Sequence, residues 1–315
     1  MIDKRKIVLV GTGFVGMSMA YSLLNQGGIN ELVLIDIDKQ RAIGEAMDLA
    51  HGIPCAPSKI DIKAGDYSEC RDANIVVISA GVNQKPGQTR LELLKQNAQV
   101  MKEVTKNIVD TGFNGIFLIA TNPVDLMTYV VQKVSGFPKQ KVIGSGTVLD
   151  TARLRYLIGK YTKISTRNVH AYIIGEHGDS SFVPWSHCYI GNKKLLEVMN
   201  DNKYPLSDLD NIYLEVQQAA YEIIERKKAT YYAIGLGLVQ IIKAILNDEN
   251  EILTVSTYIE GEYRNSGMYV GVPTIINRNG SREILEIELT SEEQSKFDES
   301  CKILKELQDE IKECI

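Results

Sequence analysis

Cysteine, proline and tryptophan are scarce in this 315-residue chain, at five, eight and one. The cysteines sit scattered at positions 55, 70, 188, 301 and 314, and no two form a CxxC pair. So sparse and odd a set does not make a disulfide framework; a reducing, cytoplasmic setting fits it best. Long apolar runs are missing as well. No window approaches the ~20 uninterrupted apolar residues that cross a bilayer, and even residues 233–242 contain Gln240. Nor is positive charge in excess. With 35 basic and 40 acidic residues the net charge is −5, which argues against a general binder of nucleic acid. No proline-rich linker, low-complexity tract or internal repeat interrupts the chain. The N-terminus imitates a secretion signal, with Lys4, Arg5 and Lys6 ahead of an apolar stretch from Ile7. Glycines at fixed spacing break that stretch and an acidic residue follows, so no signal peptide is expected.

What is present is ordinary globular composition, 44% hydrophobic and 24% charged, at a length that suits about two domains. Short apolar runs at 7–10, 32–35, 75–79, 116–120 and 142–143 alternate with helical patterns such as 89–109 and 123–134. Continuous apolar strands between helices predict an α/β fold, a doubly wound parallel sheet of Rossmann type. In the second of those helices Asn122 is expected as N-cap, with Pro123 at the first helical position. After residue 145 the pattern becomes mixed. Helices are expected over 147–160, 208–227 and 231–246, strands over 253–259, 271–276 and 284–289, and a closing amphipathic helix over 291–312. Asn279-Gly280 marks the last turn. The expected division is therefore a dinucleotide-binding domain over 1–145 and a mixed α+β catalytic domain over 146–315.

Gly11-Thr12-Gly13-Phe14-Val15-Gly16 follows the first strand and opens a helical pattern through Leu24. Alone, a GxGxxG pattern is weak. Here it has the strand–turn–helix context, and Asp36 falls 20 residues after Gly16 at the end of the second strand. Glycines let the backbone approach a pyrophosphate at a helix N-terminus, and Asp36 accepts hydrogen bonds from a ribose. A carboxylate there repels a 2′-phosphate, so NAD is expected rather than NADP, although Lys39 and Arg41 lie close by.

Four further clusters carry unusual residues for loops and caps. They are Asn83-Gln84-Lys85-Pro86-Gly87-Gln88-Thr89-Arg90, Thr121-Asn122-Pro123-Val124-Asp125, Asp150-Thr151-Ala152-Arg153 and Gly175-Glu176-His177-Gly178-Asp179-Ser180. In this order and spacing they make the chain similar, along nearly its whole length, to the lactate/malate dehydrogenase family. Within that family it resembles the L-lactate branch, of the bacterial fructose-bisphosphate-responsive type.

The resemblance implies reversible hydride transfer between NADH and pyruvate, giving L-lactate and regenerating NAD in fermentation. It assigns catalytic roles to His177, Asp150, Arg90 and Arg153, and substrate contacts to Gln84, Arg90, Asn122, Asp125, Arg153 and Thr230. Cofactor contacts fall on Gly11, Gly13, Phe14, Val15, Gly16, Asp36 and Arg41 in the first part of the chain. Tyr67, Gly81, Val82, Thr105, Ala120, Thr121, Asn122 and Ser145 complete that set. No metal is implied, and the four histidines (51, 170, 177 and 187) lack ligand spacing. A homotetramer is implied too, together with an effector site in which Arg155 and His170 bind fructose 1,6-bisphosphate between subunits. Arg155 lies two positions from Arg153, roughly 200° around a helix, and so faces away from the substrate. His170 is expected on one strand, 169–174, leading to His177.

The chemistry explains the residue types. Reduction of a ketone places negative charge on its oxygen, to which an imidazolium can donate a proton. A carboxylate on the other ring nitrogen fixes the tautomer and favours the charged form. Arg153, three residues from Asp150 and on the same helix face, offers a planar fork to the substrate carboxylate, while Arg90 polarises the carbonyl. In the malate branch the position of Gln84 is an arginine that pairs a second carboxylate. Oxaloacetate beside the neutral Gln84 would leave a charge unpaired, at a cost of roughly 3–5 kcal/mol. Pyruvate is therefore the expected substrate. An NAD-sensing protein without catalysis would have no need of the acid–base set.

Overall fold

The computed structural model describes residues 5–82 and 87–315. Its first half alternates as read: β1 (Lys6–Val10), α1 (Phe14–Gln26), β2 (Glu31–Ile35), α2 (Lys39–His51), β3 (Asp61–Ala64), β4 (Ile75–Ile78), α3 (Arg90–Val109), β5 (Ile116–Ile119), α4 (Val124–Ser135) and β6 (Val142–Gly144). Then come α5 (Val148–Thr162), three two-residue strands β7 (Val169–His170), β8 (Tyr189–Ile190) and β9 (Lys193–Lys194), and helices α6 (Leu195–Asp201), α7 (Ser207–Lys227) and α8 (Tyr232–Leu246). The chain closes with β10 (Glu251–Glu260), β11 (Ser266–Asn277), β12 (Gly280–Ile284) and α9 (Ser291–Ile311).

Nine of these strands form one sheet in the order β12-β11-β10-β6-β5-β4-β1-β2-β3. From β6 to β3 the pairing is parallel, and β10, β11 and β12 extend it antiparallel. Alternate residues of each buried strand feed opposite faces. Val8, Val33, Val76 and Phe117 pack on one side with α3, α4 and α9. Ile7, Leu9, Leu34, Val77 and Leu118 pack on the other with α1 and α8. A third cluster joins α5, α6 and α7 under the small sheet β7-β8-β9. The sheet order reverses direction at β1 and β4, and in an open parallel sheet ligands bind beyond the carboxyl ends of the strands at that crevice. Among the described residues, no helix is long and apolar enough to cross a membrane.

Four local expectations need correction. β3 went unread because it is a four-residue edge strand, half polar and only partly buried, without an apolar run. The strand expected over 284–289 ends at Ile284. Beyond it one backbone bond to β11 remains, from the Leu285 amide to the Pro273 carbonyl at 2.8 Å, and Tyr263 holds the rest: its amide donates to Glu286 at 2.7 Å and its hydroxyl accepts from the Ile287 amide at 3.1 Å. The strand expected over 169–174 is confined to Val169–His170. At Ile173 two hydroxyls of the α5 region stand in for a neighbouring strand: Thr151 Oγ1 accepts from its amide at 2.9 Å, and Thr147 Oγ1 donates to its carbonyl at 2.5 Å. His170 and His177 therefore do not share a strand. Finally, Pro123, not Asn122, is the N-cap residue of α4, and no side chain caps that helix.

Candidate active site

The glycine turn lies where the reversal of strand order opens the sheet. Gly11 adopts φ +101°, and a Cβ there would come within 2.6 Å of the Ala80 amide nitrogen at the end of β4. At Gly16 a Cβ would lie 2.3 Å from the Gly11 carbonyl oxygen, so α1 can pack this tightly on the turn only with glycine. A Cβ on Gly13 would meet nothing, and no side chain caps the first turn of α1, where Phe14 is exposed. Free amides over open space suit an anion.

Asp36 follows β2. One of its oxygens accepts from the Thr12 amide (2.7 Å) and hydroxyl (2.8 Å), and the other from the Asp38 amide at 3.0 Å. Burial opposes the charged form, but these donors hold the carboxyl below its ordinary value. An anionic group so placed fits a ribose and disfavours a 2′-phosphate. The residues present therefore fit a dinucleotide of the NAD type. Arg41 on α2 lies 3.8 Å from Glu45, and its own amide donates to the capping Asp38. The Tyr67 phenol is pushed up by burial and hydrogen-bonded to Asn107.

Beyond the turn, one cavity of about 240 Å³ collects residues from both halves of the chain. Val15, Ala120, Asn122 and Ser145 line it together with Asp150, Arg153, His177 and Thr230. His177 Nδ1 lies 2.7 Å from Asp150 Oδ2, and Asp150 Oδ1 accepts from Arg153 at 3.1 Å. The i, i+3 spacing on α5 thus brings carboxylate and guanidinium together, each with only 13–14% of its side chain exposed. Burial works against the imidazolium, yet Asp150, with Asp125 behind it, raises His177 to about 9. Burial likewise opposes the Asp150 carboxylate, which His177 and Arg153 hold below its ordinary value.

Several expected residues lie elsewhere. Arg90 starts α3, whose Thr89–Glu92 capping box is complete, and its side chain is 84% exposed, 3.8 Å from Asp179. Gln84 lies outside the described residues, with Asn83, Lys85 and Pro86. Asp125 was expected to touch substrate. Instead it is buried, one oxygen accepting from Ser256 and the other from the His177 amide. Thr105 was expected at the cofactor, but it is fully buried and its hydroxyl donates to the Met101 carbonyl of its own helix. Arg155 faces away from the cavity, its Nε donating to the Ala171 carbonyl at 3.0 Å and its guanidinium 5.3 Å from the Tyr172 ring centre. That bond sets it beside the segment that carries the exposed His170.

Sequence reasoning missed Asn97. Buried on α3, its side chain accepts from the Val82 amide at 2.9 Å and donates to the Asn122 carbonyl at 3.2 Å. It thereby ties together the loops after β4 and β5, where Thr121 also donates to the Ala80 carbonyl at 2.7 Å and a Cβ on Gly81 would strike the Thr121 methyl. The signal was available: an asparagine in the otherwise apolar stripe Leu94, Ala98 and Met101. Leu149, Tyr213, Val216 and Ile234, which also line the cavity, carry no such sign.

Comparison with known proteins agrees with this geometry. Residues 5–144 match the lactate/malate dehydrogenase NAD-binding domain, and residues 147–315 match that family's alpha/beta C-terminal domain. L-lactate dehydrogenase 1 of Bacillus cereus and L-lactate dehydrogenase 2 of Bacillus anthracis are each 55% identical over 302 residues, 96% of either chain. A lactate dehydrogenase from a Medee basin deep-sea metagenome library superposes with a TM-score of 0.96 at 54% identity, over 98% of this chain and 99% of that one. The minor L-lactate dehydrogenase of Enterococcus mundtii in its ligands-bound form gives 0.97 at 47% identity, over the same shares. The glycine turn, the anionic Asp36 and the coupled Asp150–His177–Arg153 set thus occur in a chain that belongs to the lactate/malate dehydrogenase family.

Proposed function

We propose that the cavity reduces pyruvate to L-lactate, and reverses that reaction, with His177 as the proton donor and acceptor. The enzyme is an NAD-dependent L-lactate dehydrogenase in its activity, and bound NADH supplies the hydride. The observation that carries the proton role is the 2.7 Å contact between His177 Nδ1 and Asp150. It occupies one ring nitrogen and leaves Nε2 for the substrate oxygen, on a ring that is charged at neutral pH. Arg153 pairs the substrate carboxylate while Asp150 keeps its guanidinium oriented. Arg90 polarises the carbonyl, which requires its exposed side chain to swing inward from Asp179. We take residues 1–145 as the cofactor half and 146–315 as the catalytic half; the cavity draws on both. NADH oxidation followed at 340 nm with pyruvate and with oxaloacetate tests the reading. Pyruvate is expected to win by orders of magnitude, and preference for oxaloacetate overturns it.

Finer features follow from the family resemblance and from particular side chains. Fructose 1,6-bisphosphate is read as an activator bound by Arg155 and His170, a reading supported by the Arg155 bond to the residue after His170. A homotetramer in the cytoplasm is read from the same resemblance. Its support is the large apolar surface left in solvent on neighbouring helices: Tyr21 on α1, Met47 on α2 and Leu236 on α8 are each more than half exposed.

A further inference from the structure

His177 is held at two points, and only one of them belongs to the scheme above. Its ring meets Asp150 from α5, and its backbone amide donates to Asp125 Oδ2 at 2.8 Å. Asp125 sits in the first turn of α4, only 2% exposed, and its other oxygen accepts from Ser256 Oγ at 2.5 Å. Ser256, fully buried on β10, pairs with Gly144 of β6 across the join between the parallel and antiparallel parts of the sheet. A carboxylate this deep is costly unless its charge is used or satisfied. It is not among the residues that line the cavity.

We propose that Asp125, anchored by Ser256, is a positioning residue for the acid–base histidine, fixing the backbone at His177 and placing a second negative charge behind the imidazolium. The proposal rests on the reading of His177 as proton donor. The groups facing Asp125 come from three elements: Glu176 and His177 on the segment after β7, Ser256 on β10, and Cys301 on α9. Asp150 and Arg153 of α5 lie beyond the ring. Burial raises Asp125 to about 6 against the Ser256 and His177 donors, so the charge is present at neutral pH and is lost in mild acid. It is one of two carboxylates that keep His177 charged. With Asp125 neutral the ring loses that support and the His177 amide loses a charge-assisted acceptor.

The test reads the ring directly, without turnover. The pH dependence of carbethoxylation at His177, located by peptide mass mapping, reports the fraction of neutral imidazole in the free full-length protein. Its midpoint is expected near 9 in the parent and about one pH unit lower in Asp125→Asn. Pyruvate reduction by that variant is expected to fall by about 10–100-fold, the scale of a misplaced catalytic group, with NADH binding by fluorescence retained. If Asp125→Asn does not fold, Ser256→Ala replaces it. Removing that donor raises Asp125, so the acid limb of the rate moves upward from about 6. An unchanged midpoint in Asp125→Asn, or an unchanged acid limb in Ser256→Ala, overturns the proposal. A midpoint that moves while pyruvate reduction does not would instead overturn the proton-donor reading of His177.

Discussion

Asp150 binds His177 with one oxygen, at 2.7 Å, and Arg153 with the other, at 3.1 Å, so one buried carboxylate orients both the acid–base group and the guanidinium beside it. The pH dependence follows from the sign of the shift. His177 stays charged up to about 9. Pyruvate reduction, which consumes the proton, should be level through neutral pH and fall as pH rises through about 9; lactate oxidation should rise over the same interval. Asp150→Asn removes the charge that offsets burial, so both breaks should move toward or below the ordinary histidine value of about 6.5. Rate profiles of kcat/KM in both directions check this.

The same pair links pH to stability. His177 is raised, so its contribution is complete below the ordinary histidine value and is lost as pH rises through about 9. Asp150 is lowered, so its contribution is complete above the ordinary carboxylate value and is lost as pH falls through its folded value. Thermal unfolding from pH 2 to pH 10 should show loss on both flanks, the acid loss below about pH 4 and the alkaline loss reduced in His177→Asn.

Asn97 gives a prediction about the cofactor side. Replacement by alanine leaves the Val82 amide and the Asn122 carbonyl without their partner, two backbone groups in loops that border the dinucleotide crevice. Each lost hydrogen bond costs about 0.5–1.5 kcal/mol. Calorimetry should show a Tm several degrees lower, and titration with NADH should show weaker binding, while His177 still titrates near 9.

Legibility in the sequence depended on range. Gly11, Gly16 and Asp36 could be read because their constraint is carried by a strand, a turn and a helix in succession, and Asp150 could be paired with Arg153 because three residues on a helix share a face. Asp125 pointed to substrate by resemblance, yet its partner Ser256 is 131 residues away in the chain, on a strand whose neighbour only the folded sheet reveals. The short strand β7 misled for a related reason. An apolar run such as Ala171–Ile174 signals burial, and burial was taken for ladder pairing, whereas Thr147 and Thr151 meet the backbone at Ile173.

We propose that substrate choice turns on Gln84, whose neutral side chain would leave the second carboxylate of a larger 2-oxo acid unpaired. Gln84→Arg supplies a partner for a second carboxylate and leaves a charge unpaired when pyruvate binds. The ratio of kcat/KM for oxaloacetate over pyruvate should rise by at least about 10². A ratio within about threefold of the parent shows that Gln84 does not face the variable end of the substrate.

Arg155 and Arg153 share α5 but point to opposite sides, the one to the Ala171 carbonyl and the other to Asp150. Binding of a bisphosphate by Arg155 and His170 would favour one arrangement of the helix, and the substrate guanidinium would move with it. Coupling of this kind is typically ~1–3 kcal/mol, or roughly 5–150-fold in affinity. Fructose 1,6-bisphosphate is therefore expected to lower the apparent KM for pyruvate within that range. Arg155→Leu should abolish the effect while leaving the parent's KM without effector nearly unchanged, because Arg155 does not line the cavity. Pyruvate titrations with and without effector read the coupling, and calorimetry reads the binding itself. Heat of binding that persists unchanged in both Arg155→Leu and His170→Gln would move the effector to another surface.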